Sequence, residues 1–237
     1  VCGGTCAADA DADGICDDVD NCTDLSACNF DGSGGGGSCV TLSLEEHFVH
    51  TSGTLAGQTT YRLYAVLPNE TDFLSAVNGE GPTPLSITTT TSFYQDPNGG
   101  VDGTNINGLF FQFVPELAYD SWVTIDHSPE DGPAEQTLST FSSPNQNWQA
   151  NFEAGGDIIM DDIFGGGWAI LNQGTQGVAG SDKKVLIAQL TTDGAITAQV
   201  EIQYFPDWVE GNGADGTQEM REYVNLSTSC GSNNPCE

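Results

Sequence analysis

The clearest candidate for a functional site in the sequence is a run of acidic residues near its start, whose spacing could surround a calcium ion. Counted from Asp9, carboxylates stand at positions 1, 3, 5, 9 and 12, and a glycine stands at position 6. The predicted ligands are Asp9, Asp11, Asp13, Ile15 (through its carbonyl), Asp17 and Asp20. Carboxylates converge in a tight loop only around a hard cation, and oxygen ligands favour Ca²⁺. We therefore predict a calcium site, the alternative being a solvated acidic segment.

Cysteines surround this loop and predict disulfide bonds formed in an oxidising compartment. Six cysteines lie in the first 39 residues and two lie in the last eight. They are Cys2, Cys6, Cys16, Cys22, Cys28, Cys39, Cys230 and Cys236. A segment of this size is too small for a hydrophobic core, so it needs disulfides, a metal ion or both. The connectivity stays open, because eight cysteines permit roughly a hundred pairings.

The calcium loop follows the EF-hand pattern, with Asp20 in place of the usual bidentate glutamate. Its end, Asp20-Asn21-Cys22, resembles the type 3 repeats of thrombospondins and related bacterial surface proteins. That resemblance implies calcium loops connected by disulfides, without the helices that flank an EF-hand loop.

Other stretches resemble repeats of long secreted proteins of marine bacteria and algae. Residues 1–9 are similar to their Cys-Gly-Gly repeats, and residues 22–31 to a repeat that begins Cys-Thr-Asp. The body is similar to a module of those proteins over residues 61–65, 72–79, 118–124 and 180–185. The resemblance implies a large, tandem, secreted or surface-attached protein, and it implies no reaction.

The charge of the chain narrows the choice of partners. It has 34 acidic residues against 4 basic ones, a formal net charge of −30. Such a chain repels phosphate backbones, so we expect no nucleic-acid partner. It has no apolar run of about 18 residues, so we expect no membrane insertion. With the cysteines, this composition predicts a secreted or cell-surface location.

The elements that must carry these features are short strands. After the glycine run 34–37, short apolar or alternating runs are separated by turn residues. The predicted strands are 39–44, 59–67, 85–91, 109–114, 122–125, 148–152, 157–160, 168–171, 185–191 and 196–205. We predict a hairpin at 191–195 and a short helix at 71–77 capped by Asp72. The whole predicts a mainly β protein, an antiparallel sandwich or jelly roll over residues 40–228. The calcium-binding, disulfide-rich module would occupy residues 1–39, and a cysteine-containing linker residues 229–237.

Weaker patterns leave alternatives open. Trp122, Trp148, Trp168 and Trp208 are either core residues or a platform for sugars. The acidic stretch 157–162, with Asp182, is either a solvated turn or a second calcium site.

Three Asn-x-Ser/Thr sequons make Asn21, Asn69 and Asn225 glycosylation candidates. His47 and His50 would point to opposite faces of a strand and would not converge on a metal. Glu45, Glu46, Glu116 and Asp120 have no support as a glycosidase pair.

The patterns together favour a structural role over catalysis. We expect an extracellular module, stabilised by Ca²⁺ and disulfides, in a repetitive or polymeric surface protein such as a fibre, stalk or adhesin. Its partners would be neighbouring copies or modules of the same protein. The alternative is a carbohydrate-binding module of a secreted protein that handles polysaccharides. We predict no catalytic residues.

Overall fold

A computed structural model describes residues 39–208 and 219–228. The predicted calcium ligands, Asn21 and every cysteine except Cys39 lie outside the described residues. The described part is built mainly of antiparallel β-sheet, which confirms that prediction.

Eleven strands and a few short helical turns form the described part. The strands are β1 Thr41–Val49, β2 Thr59–Val66, β3 Phe73–Gly79, β4 Leu85–Thr89, β5 Trp122–Val123, β6 Ser139–Phe141, β7 Ile158–Met160, β8 Gly166–Ala169, β9 Lys184–Thr192, β10 Ile196–Phe205 and β11 Met220–Asn225. The 3₁₀ helices are Gly103–Asn105, Gly108–Gln112, Pro115–Tyr119 and Pro129–Asp131, and α1 is Trp148–Glu153.

The strands form two sheets. A four-stranded sheet has the order β1-β2-β9-β5, and a seven-stranded sheet has the order β6-β8-β3-β10-β4-β7, with β11 also paired to β10. β3 pairs with residues 201–205 of β10, and β4 with residues 196–199. β3 and β4 therefore lie end to end along one edge of β10. On their far side, β8 pairs with β3 and β7 pairs with β4, so these two strands form a second row.

Two short loops, 80–84 and 161–165, interrupt these rows side by side. The Gly81 N–H donates to the Asp162 carbonyl at 2.8 Å, which joins the loops. Gly79 ends β3 in a place where a Cβ atom would lie 2.0 Å from the Leu85 backbone nitrogen. The chain can therefore leave and rejoin the row here only with glycine at position 79.

The main core lies between the two sheets. On β2, Leu63 and Ala65 face it, and on β10, Val200, Ile202 and Tyr204 do so, as their alternation predicts. β9 is different, since all its residues after Lys184 are buried.

The burial of β9 on both faces is explained by a third layer. Ile106, Leu117, Trp122 and Leu186 form a second, smaller cluster. Leu186 belongs to β9 and points away from the main core, because its neighbours in sequence belong to that core. The segment with the 3₁₀ helices between residues 103 and 119 thus covers the outer face of the four-stranded sheet.

Four predicted elements were wrong. Residues 71–77 were expected to be helical, yet β3 is a buried strand between β8 and β10. Asp72 does fix a turn, because its carboxylate accepts the N–H of Asn69 at 2.8 Å and of Asp207 at 3.1 Å. Residues 109–114 were expected to form a strand, but most of them lie in the 3₁₀ helix Gly108–Gln112.

The third error is at 148–152, where α1 replaces the expected strand. The Asn147 side chain caps α1 by accepting the Ala150 N–H at 3.1 Å. The hairpin at 191–195 was also wrong, because β9 and β10 belong to different sheets. The Thr192 hydroxyl accepts the Gly194 N–H at 3.0 Å, and this turn carries the chain from one sheet to the other.

Candidate functional site

The structure brings few of the sequence-predicted residues together. Within residues 39–208 and 219–228, no group of three or more His, Cys, Asp or Glu side chains is arranged to hold a metal ion. The alternative of a second calcium site at 157–162 therefore finds no support. Asp157 and Asp162 instead hold loops, accepting the Thr89 N–H at 3.0 Å and the Ser143 hydroxyl respectively.

Cys39 stands where the body begins. It is buried and disulfide-bonded. The next residue is also fixed, because the Val40 N–H donates to the Glu222 carboxylate at 2.9 Å. Glu222 lies on β11 and also accepts the Tyr204 hydroxyl of β10 at 2.8 Å. These contacts attach the start of β1 to the last strand.

Two of the three sequon asparagines can be placed. Asn69 lies in an exposed turn before β3, and Asn225 is exposed at the end of β11. Both are accessible to a modifying enzyme, and their glycosylation stays a prediction.

The tryptophans form no exposed platform. Trp122, Trp148, Trp168 and Trp208 are all buried. The Trp168 indole N–H donates to the Thr124 carbonyl at 2.9 Å, which ties the seven-stranded sheet to the segment that follows β5. The sugar-platform alternative was therefore wrong in its choice of residues.

The histidines lie in different environments. His47 is exposed, whereas His50 is buried and begins a hydrogen-bonded chain through Thr60 and Thr191 to the Tyr119 carbonyl, at 2.9, 2.7 and 2.6 Å. The carbonyl can only accept, so each hydroxyl donates towards it, and His50 must donate from Nε2. Burial lowers the pKa of His50, in keeping with a neutral ring.

The acidic residues weighed as a glycosidase pair have other contacts. Glu45 pairs with Lys184 at 2.5 Å, and Glu116 accepts the Thr54 hydroxyl at 3.1 Å. Asp120 is fully buried beneath the turn 96–100 and accepts the N–H groups of Asp96 at 2.7 Å and Gly100 at 3.1 Å. Burial raises the pKa of Asp120 to about 7, although both hydrogen bonds favour the ionised form.

The feature best suited to bind a molecule is a cavity of about 600 Å³. It opens beside the 3₁₀ helices, between the segment that pairs with β5 and the edge strand β6. Its lining is Asn98, Gly99, Gly100, Val101, Asp102, Asn105, Ile106, Asn107, Phe110, Val114, Leu117, Leu138 and Thr140. We call this cavity the β5–β6 pocket. Its volume falls within the range of roughly 300 to 1,000 Å³ that ligand pockets occupy.

Hydrogen bonds hold the pocket wall in place. Asp102 forms a parallel bridge with Val123 of β5, and its carboxylate accepts the Thr104 N–H at 2.8 Å and hydroxyl at 2.7 Å. The Thr104 hydroxyl oxygen also accepts the Leu138 N–H at 3.1 Å, just before β6. Burial raises the pKa of Asp102. These contacts join the segment 102–104 to β5 and to the start of β6.

An apolar rim adjoins the pocket. Phe110 lines it and is 52% exposed, while Leu109 and Phe113 of the same segment are each 74% exposed. Sequence reasoning missed this site because it expected residues 109–114 to be a strand. The usable signal was Asn107-Gly108 before the aromatic run and Pro115 after it.

Comparison with known proteins adds no relative. No family model matches the sequence, and neither a curated protein nor a solved structure is significantly similar to it. In the described part of the chain, every helix is too short or too polar to cross a membrane.

Proposed function

We propose that the chain is an extracellular structural module of a repetitive or polymeric surface protein, such as a fibre, stalk or adhesin. Ca²⁺ in the loop 9–20 and disulfide bonds stabilise it, and neighbouring copies or modules are its partners. The observation that supports this proposal most is the hydrogen bond that attaches Val40, beside the disulfide-bonded Cys39, to Glu222 of β11.

The attachment matters because a structural protein must fix the orientation of one module relative to the next. Cys39 is disulfide-bonded, and Val40 is hydrogen-bonded to Glu222. Glu222 is held in turn by the Tyr204 hydroxyl. The predicted calcium-binding module of residues 1–39 therefore joins the body at Val40, which contacts β11 and, through Glu222, β10.

The charge agrees with a calcium-rich environment. A net charge of −30 disfavours a compact state through self-repulsion, and bound cations relieve it. Each Ca²⁺ held in the loop 9–20 would offset two units of that charge.

Calorimetry and limited proteolysis test the calcium part of the proposal. We expect the full chain to bind Ca²⁺, and we expect a chelator to expose residues 1–39 to protease while sparing most of 40–228. The double variant Asp9→Asn/Asp13→Asn should lose binding, because it removes two predicted ligands. Asp24→Asn removes an acid of the same segment outside the predicted loop, so it should bind as the wild type does. Absence of calcium binding, with unchanged cleavage after chelation, would contradict the calcium part of the proposal.

Electron microscopy of the native parent protein tests the assembly part. We expect regular fibres or tandem arrays with a repeat of one module. Monodisperse single molecules of the full-length parent would contradict the polymeric version without affecting the calcium result.

A further inference from the structure

The β5–β6 pocket has a lining whose chemistry selects one class of ligand. Its floor and walls are apolar, with Val101, Ile106, Val114, Leu117 and Leu138. Its polar groups are three asparagines, one threonine, one aspartate and the backbone of two glycines. This combination of a largely apolar cavity and a few polar groups is typical of a binding site.

The hydrogen bonds of the asparagines determine which atoms remain for a ligand. Asn98 and Asn105 each donate from Nδ2 to a carboxylate, of Asp96 at 2.9 Å and of Asp102 at 2.6 Å. Carboxylates of this kind only accept, so the amide orientation is fixed and each Oδ1 remains as an acceptor. Asn107 is turned the other way, because its Oδ1 accepts the Leu109 N–H at 3.0 Å and its Nδ2 remains as a donor.

Thr140 adds a group that can both donate and accept. Within the described residues no hydrogen bond uses its hydroxyl, and none uses Asn98 Oδ1, Asn105 Oδ1 or Asn107 Nδ2. The pocket therefore offers acceptors, a donor and a hydroxyl together. Sugar hydroxyls donate and accept in the same way, whereas an anion needs donors and a cation needs acceptors.

Charge excludes the ionic alternatives. All four basic residues of the chain are engaged elsewhere, in three cases with Glu side chains and in the case of Lys183 with the Pro68 carbonyl at 2.6 Å. An anionic ligand would thus meet a strongly negative protein without a partner. Among the described residues, Asp102 is the one charged residue in the lining that a cation would meet, and its carboxylate already accepts three hydrogen bonds.

Phe110 supplies the remaining element. Its half-exposed ring borders the pocket, and a ring face of this kind packs against the C–H face of a pyranose as it does against other apolar surface. We infer that the β5–β6 pocket binds an uncharged sugar residue of a glycan. This inference goes beyond the structural role and does not depend on calcium or on assembly.

The test is an NMR titration of the full chain, with calcium present, against neutral oligosaccharides of glucose, galactose and mannose at millimolar concentration. Oligogalacturonate serves as the charged counterpart. We expect at least one neutral probe to shift the amide signals of Gly100, Asn105 and Thr140, with no response to oligogalacturonate.

Three variants separate pocket binding from binding elsewhere. Gly100 lines the pocket, and a Cβ atom there would meet no atom within 4 Å, so we expect Gly100→Leu to be tolerated, to occupy part of the pocket and to weaken binding more than tenfold. Thr140→Val removes one neutral hydrogen bond and should weaken binding about fivefold. Phe110→Ala should weaken it by about tenfold, whereas its neighbour Phe113→Ala, outside the lining, should leave it unchanged.

Thermal unfolding of each variant shows that it is folded before its affinity is read. No shift with any neutral probe would overturn the inference, and so would a response to oligogalacturonate alone. Equal affinity of Gly100→Leu and the wild type would also overturn it. None of these results bears on calcium binding or polymerisation, so this inference can fail while the proposed function stands.

Discussion

Replacement of Asp120 by asparagine should change how the stability of the protein depends on pH. Asp120 is 0% exposed, and its carboxyl accepts two backbone N–H groups of the turn 96–100. Burial raises its pKa from 3.8 to about 7. The folded protein therefore holds this proton more tightly than the unfolded chain does.

The direction and size of the effect follow from that difference. Because the folded state binds this proton more tightly, protonation of Asp120 increases the free energy of unfolding. This contribution is complete below pH 3.8 and is lost as the pH rises towards 7. The complete change is about 4 kcal/mol, of which about 2.5 kcal/mol falls between pH 5 and pH 8. The wild type should lose that amount of unfolding free energy over this interval because of Asp120.

Urea unfolding at pH 5 and pH 8, with calcium held constant, measures this loss of unfolding free energy. Asp120→Asn cannot titrate, so its stability should fall by about 2.5 kcal/mol less than that of the wild type. At pH 5 the variant should be less stable by about 1 to 3 kcal/mol, because the amide NH₂ faces a backbone N–H that the carboxyl accepted. The difference between the two proteins should therefore close as the pH rises.

Asp193→Asn is the matched control, since it makes the same substitution in an exposed turn. It should follow the pH dependence of the wild type. If Asp120→Asn and the wild type lost equal stability between pH 5 and pH 8, the reasoning on the buried carboxyl would be refuted.

Three further substitutions are read by urea unfolding. Trp168→Phe removes the hydrogen bond to the Thr124 carbonyl that ties the seven-stranded sheet to the segment after β5, and it should cost about 1 to 3 kcal/mol; an unchanged midpoint would contradict that role. Thr191→Val breaks the buried chain that ends on His50 and should cost a similar amount, with a change in the NMR signals of that ring. Gly79→Ala places a Cβ atom 2.0 Å from backbone and should prevent native folding, whereas Gly100→Ala, which has open space, should fold with nearly wild-type stability.

The strands of the body were predicted best where burial follows a simple pattern. β10 alternates between buried residues such as Val200 and Ile202 and half-buried polar residues, and its predicted limits agree with the structure. β9 is a continuous buried run because a third layer covers its outer face. The alternation in β10 and the continuous apolar run in β9 can each be recognised from the sequence of the strand itself.

The errors arose where distant contacts decide. The turn around Asp193-Gly194 has hairpin residues, but nothing within it determines whether the flanking strands share a sheet. Residues 73–77 contain the leucine, alanine and valine of a plausible helix, yet β3 is held by neighbours more than 85 residues away in sequence. The pocket was missed because residues 109–114 were expected to form a strand, and because its lining combines residues 98–117 with Leu138 and Thr140, which are distant in sequence.

The attachment of Val40 to Glu222 has a mechanical consequence. Glu222 and Thr228 are six positions apart and Val40 is bonded to the Glu222 side chain, so the points where the chain enters and leaves the body lie within about 30 Å of each other, beside β11. In a tandem chain under tension, the load would run through this edge and bypass the core. Each body would lie to one side of the axis of tension and face its surroundings. The segments between the bodies would carry the force.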